Sequence, residues 1–239
     1  MTETAPATAP AEAAPRGLVS RIFGVFFSPR ATFAEVAARP KAFGVLVVGL
    51  VIVAAAMFVL FSTDVGQQAF IDQQLKARPN MPEQQIAGLE RIAPFIRYIV
   101  ACGYLVVIPI GLTIISGILL GIFNAFLGGD ARFKQVFAVV AHAGLITVLQ
   151  TLFVAPLDYA RETLTSPTTL GVFVPFLDED SFAVKLLGTI DLFQIWWLFT
   201  LSIGLGVLYK RRTTPIATSI FIVYAVIILA IAAVRSALS

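Results

Sequence analysis

The sequence predicts an all-α polytopic membrane protein: a five-helix transmembrane bundle with an N-terminal interfacial amphipathic helix. Three observations carry this. Charged residues make up only 13% of the 239 residues and the mean hydropathy is +0.90, whereas soluble domains carry about 25% charged residues. Apolar runs recur five times along the chain, each of about 20 residues or more, the length that crosses a hydrocarbon core about 30 Å thick. None alternates with period two, so helices rather than a β-barrel would satisfy the backbone in lipid. The composition excludes a soluble globule, a disordered chain, collagen and a coiled coil. A single cysteine, Cys102, excludes an intrachain disulfide framework and a thiolate zinc cluster.

Residues 1–15 are mostly Ala, Pro, Thr and Glu. They lack the basic start and apolar core of a signal peptide and read as a disordered cytoplasmic lead. Residues 16–41 follow as an amphipathic segment. Arg21, Ile22, Phe23, Phe26 and Phe27 suit a helix in the inner interface, with Phe in the acyl boundary and Arg near anionic headgroups. Packing of that apolar face on the bundle is a compatible alternative. The membrane domain, 42–239, places its spans at about 42–63, 98–127, 136–157, 186–209 and 213–234. The loop after the first span is polar and Gln-rich. Within it, Asn80-Met81-Pro82-Glu83 reads as a helix start with Asn as cap and Pro in the first turn, predicting a short helix over 82–92.

Lysine and arginine bias sets the orientation. With the N-terminus inside, the inner segments hold Arg21, Arg30, Arg39, Lys41, Arg132, Lys134 and Lys210–Arg212, while the loop 158–180 is acidic. The chain is therefore read as N-terminus cytoplasmic and C-terminus periplasmic or extracellular.

Polar groups inside a membrane are functional candidates because hydrocarbon penalises them. Asp191 is the one charge within the fourth span, and His142, Asn124 and Gln150 lie in other spans. Depth, at 1.5 Å per residue, separates Asp191 from His142 by about 20 Å along the membrane normal, which excludes a direct relay. Arg97, at the mouth of the second span, has a better depth, so an Arg97–Asp191 ion pair is expected. A lone histidine without Cys or nearby carboxylates is first a hydrogen-bonded interior residue, with proton or metal chemistry as the lesser alternative. Asn124 and Gln150 read as interhelical hydrogen bonders. Trp196 and Trp197 fall near mid-membrane and are expected to pack in the bundle with each indole N–H on an acceptor. Gly117, Gly121 and Ala125 align small residues on one helix face. Packing within the bundle is the expected use of that face, and a dimer seam is the alternative.

Catalytic signatures are missing. Ile114-Ile115-Ser116-Gly117 lacks the leading glycine of an intramembrane serine protease, and Leu127-Gly128-Gly129-Asp130 departs from the Gly-x-Gly-Asp of the aspartyl class. No phosphate-binding loop and no His-Glu-x-x-His occur. No catalytic residue, cofactor or metal is assigned, and no basic soluble patch suggests nucleic acid.

The stretch from Gly128-Gly129-Asp130 through Ala141, the segment Asp191-Leu192-Phe193-Gln194-Ile195-Trp196-Trp197 with Ser202-Ile203-Gly204, and Phe27-Ser28-Pro29 through Phe33 together resemble the Yip-domain (Ypt/Rab-interacting protein) family of integral membrane proteins in its bacterial branch. The resemblance covers roughly residues 18–235 and implies five membrane helices with a cytoplasmic N-terminus; eukaryotic members are linked to vesicle traffic and small GTPases. One departure is Ala141-His142-Ala143-Gly144, where many relatives carry Tyr and then a Ser-Leu-Pro step. The resulting expectation is a non-enzymatic inner-membrane adaptor or scaffold that works by packing, lipid contact and binding of other membrane proteins, with homo-oligomerisation left open. The alternative is a transporter component or small-solute permease.

Overall fold

The computed structural model describes residues 17–178 and 181–237; the expected N-terminal lead, 1–15, lies outside them. Among the described residues, four helical stretches are long and apolar enough to cross a membrane. They are α3 (Phe43–Phe61), α6 (Ile96–Leu127), the rod made by α7 (Phe133–Ala143) and α8 (Leu145–Arg161), and α11 (Thr213–Ala237). The remaining helices are α1 (Leu18–Phe27), α2 (Pro29–Ala38), α4 (Asp64–Ala77), α5 (Glu83–Ile92), α9 (Phe182–Leu187) and α10 (Leu192–Leu208). The protein is an all-α polytopic membrane protein.

The stretch read as one fourth span, 186–209, is two helices. Backbone bonds explain the break: Leu170 N–H donates to Ile190 C=O at 2.8 Å and Leu192 N–H to Thr168 C=O at 3.0 Å. The chain before Asp191 thus spends its hydrogen bonds on the preceding loop, and helix resumes only at Leu192. With 17 residues, α10 sits at the short end of the spanning range, about 17–25. Its first turn meets α8 through Phe193 and Phe153, whose rings lie 5.8 Å apart. At its other end Tyr209 stacks on Phe123 of α6 at 5.3 Å and donates to Asn124 Oδ1 at 3.0 Å. The short turns 128–132 and 209–212 therefore sit together at one basic end.

The polar loop after α3 also differs from its reading. Thr63 Oγ1 accepts from Gly66 N–H at 3.1 Å, and this cap starts α4 where only loop is expected. The short helix α5 begins at Glu83 with Pro82, not Asn80, in the cap position. A Pro cap loses nothing there, because the first N–H groups of a helix have no intrahelical partner.

The centre of the molecule is α7. Val136, Val139 and Val140 are fully enclosed, with Phe33 and Val36 of α2 and Leu205 of α10 packed in the same core. This corrects half of the expected interfacial segment. Thr32, Phe33 and Val36 are completely buried, so α2 is a core helix, tied down by Gln135 Nε2 donating to Ala37 C=O at 3.0 Å. Only α1 keeps two faces. Its Val25 packs with Val45, Ala141 and Leu145, joined by Ile22 and Phe26, while Val19, Phe23 and Phe27 point outward, Phe27 at 81% exposure.

The α2–α7–α10 contact works because residue 204 is glycine. A Cβ there would lie 2.6 Å from Val139 Cγ1 and 3.0 Å from the Phe33 ring. Gly204→Ala should destabilise the protein by about 1–3 kcal/mol through overpacking, read as a lowered thermal midpoint in detergent. Gly117→Ala, where an added Cβ meets nothing within 4 Å, should leave the midpoint unchanged or raise it.

Candidate functional site

A lateral groove of about 450 Å³ runs between α6 and α11 with α10 as its floor. Its walls are Ile118, Ile122 and Phe123 on one side and Val223, Tyr224 and Ile227 on the other, over Trp197, Leu198 and Leu201. The polar groups on its lining are Gln194, Ser219 and Tyr224. The Tyr224 hydroxyl is closed to solvent and lies close to Asp191. Such a groove can seat an apolar rod, a helix or an acyl chain, and offers few groups to polarise a reacting bond.

The small-residue face of α6 lies outside the groove, and none of its three residues is in the lining. Gly117, Gly121 and Ala125 are exposed, and a Cβ at either glycine would meet nothing within 4 Å. The expectation that they pack inside the bundle is therefore corrected. The reason is the helix phase: α6 meets the core through Leu112, Ile115, Leu119 and Phe123, a ridge of 3–4 spacing that leaves 117 and 121 turned away.

Asp191 does not pair with Arg97. Its carboxylate caps α10, accepting from Phe193 N–H at 2.8 Å and Gln194 N–H at 3.3 Å. It also takes the hydroxyls of Thr168 at 2.6 Å and Ser166 at 3.0 Å. The guanidinium of Arg97 instead lies over the rings of Tyr98 at 4.9 Å and Phe58 at 5.9 Å. A negative group at a helix N-terminus already has partial positive charge for company, and the rings supply Arg97 with a cation–π contact.

His142 is fully buried, and its Nδ1–H donates to Ala138 C=O at 2.7 Å. Thr32, Ser116 and Ser202 do the same with the carbonyl four residues earlier, the usual outlet for a polar side chain on an apolar helix. Asn124 donates to Ala131 C=O at 3.0 Å and holds Tyr209, so it fastens the basic-end turn. Gln150 makes no side-chain hydrogen bond among the described residues. Trp197 packs on the core. Trp196 is 39% exposed and meets Phe26 at 6.0 Å and Phe193 at 6.1 Å. Neither indole N–H has an acceptor among the described residues. The metal-ligating residue types do not gather in threes there either.

The family model described as the Yip1 domain matches residues 23–234, from the outward aromatic of α1 to the last turns of α11. The chain belongs to the Yip1 domain family. No curated relative and no solved structure matches it. In this Yip1 domain the matched region takes in α2, the enclosed α7, the Asp191 cap and all three helices that line the groove.

The rearranged Asp191 and Arg97 contacts can be measured. Asp191→Ala should cost about 1–2 kcal/mol, as loss of a helix cap does. The double-mutant cycle with Arg97→Met should be additive within about 0.5 kcal/mol. A larger coupling energy would restore the ion pair.

Proposed function

We propose that this Yip1 domain protein is a non-enzymatic membrane scaffold, crossing the bilayer five times with its N-terminus in the cytoplasm. It acts by seating a helix of another membrane protein in the groove between α6 and α11. The groove itself is the observation that supports this reading most: three helices line it, almost entirely with apolar side chains, at the depth of the membrane spans. Between helices in lipid, association depends on van der Waals fit and close backbone approach rather than on a hydrophobic drive.

The lipid contacts of the scaffold fall to α1. Val19, Phe23 and Phe27 form an outward stripe, Phe43 and Val47 of α3 are exposed as well, and Arg21 and Arg30 flank the stripe in the sequence. That arrangement suits the inner leaflet, where anionic headgroups attract basic residues. The basic turns with Arg132, Lys134 and Lys210–Arg212 are read as facing the same leaflet, and their lysine and arginine bias supports the cytoplasmic side for it.

Photo-crosslinking in native membranes tests the groove. A photoreactive residue at Ile118 or Val223 should give discrete protein adducts. The same residue at Val51, an exposed apolar site on α3, should give lipid adducts only. Equal protein yields at all three sites, or lipid alone at Ile118 and Val223, would refute the groove as a partner seat.

A further inference from the structure

At the α1–α7 contact two polar atoms are left over. His142 Nδ1 faces the Ala138 carbonyl at 2.7 Å; a carbonyl only accepts, so Nδ1 carries the ring proton of a neutral imidazole. Nε2 is then a bare acceptor. It is buried and has no hydrogen-bond partner, on a residue with 0% exposure. Across the contact, Arg21 holds one guanidinium corner on the Lys41 carbonyl, with Nη1 at 3.4 Å. Its Nε–H, a donor, is likewise buried and unpartnered.

The two atoms belong to one neighbourhood. Val25, one turn after Arg21 on the same face of α1, packs with Ala141 and Leu145, the residues flanking His142 along the α7–α8 rod. The Arg21 charge is close enough to act on the imidazole electrostatically. A single buried donor on α1 and a single buried acceptor on α7 thus lie on helices that pack together, with no hydrogen bond between them. Water is the smallest molecule that can accept from one and donate to the other, and buried waters commonly serve otherwise unsatisfied groups of this kind.

We infer that one buried water joins Arg21 to His142, accepting from Arg21 Nε–H and donating to His142 Nε2, and so fastens α1 to the central helix. The bridge fixes the roll of α1 about its own axis. With Arg21 held inward, Val19, Phe23 and Phe27 face outward, so the amphipathic helix stays docked rather than sliding freely in the interface. In this role Arg21 and His142 are positioning residues for α1. The inference does not depend on what occupies the groove between α6 and α11.

His142 is the only histidine in the chain, so histidine-labelled protein in bilayers gives a single ring for solid-state nuclear magnetic resonance. The wild-type ring should be protonated at Nδ1 and unprotonated at Nε2, with polarisation transfer from water to the ring. Arg21→Met should keep the Nδ1 proton and lose the water transfer. Amide exchange across 18–27 should then quicken roughly tenfold, the effect of one lost hydrogen bond. Arg21→Lys, which keeps a donor, should recover part of both. A wild-type ring protonated at Nε2 overturns the bridge even if Arg21→Met fails to assemble. Water transfer that survives Arg21→Met overturns it too, as does unchanged exchange in α1.

Discussion

Helices in lipid gain little from hiding apolar surface, because the solvent is apolar too. What gathers them is shape, and here shape is concentrated at α7. Seven of the eleven residues of this helix are buried, packed by α2, α6 and α10, and Gly204 lets α10 come within contact of Val139 and Phe33. The rest of the architecture follows from that packing. Because α2 fills the α7–α10 side, the chain has to turn at Arg39–Lys41 before α3 begins. Because α6 gives its Leu112–Phe123 ridge to α7, its glycine face is left bare. The groove between α6 and α11 is the space left when α6 packs on α3 and α7 while α11 packs on α10.

Polar groups take what this packing leaves. Hydroxyls on the buried helices bond to their own backbone four residues back, so they cost no interhelical partner. Asp191 stands at the loop end, where its carboxylate ties the α10 N-terminus to the segment 166–168. Asn124 performs the corresponding service at the basic end. The two fastenings hold α10 along the bundle although it is shorter than its neighbours.

Much of the fold was legible in the sequence, since runs of apolar residues report membrane helices directly. Direction within the membrane was not. On α6 both the core face and the lipid face are apolar, so the pattern cannot say which way Gly117 and Gly121 turn. The burial of α2 was hidden for the opposite reason: Pro29–Ala38 is short and mixed in character, and its enclosure depends on a glycine 171 residues further along the chain. Asp191 reads as intramembrane because apolar residues continue on both sides of it. The sign was present, since Asp before an apolar helix is also a strong N-cap signal. The helix α4 could have been found similarly, from Thr63 ahead of Asp64. At the groove, Trp197 was identified as a packing residue, whereas Tyr224 and Ser219 went unnoticed, because residues on separate spans meet only through tertiary structure.

This architecture requires α10 to run the full depth of the bundle, so that both short turns emerge together. Single cysteines in a Cys102→Ala background test this through labelling with a membrane-impermeant thiol reagent in sealed vesicles. Cysteines replacing Asp130 and Arg211 should react from one side of the membrane, and cysteines replacing Thr165 and Ser236 only from the other. Labelling of positions 130 and 211 from opposite sides would contradict the account.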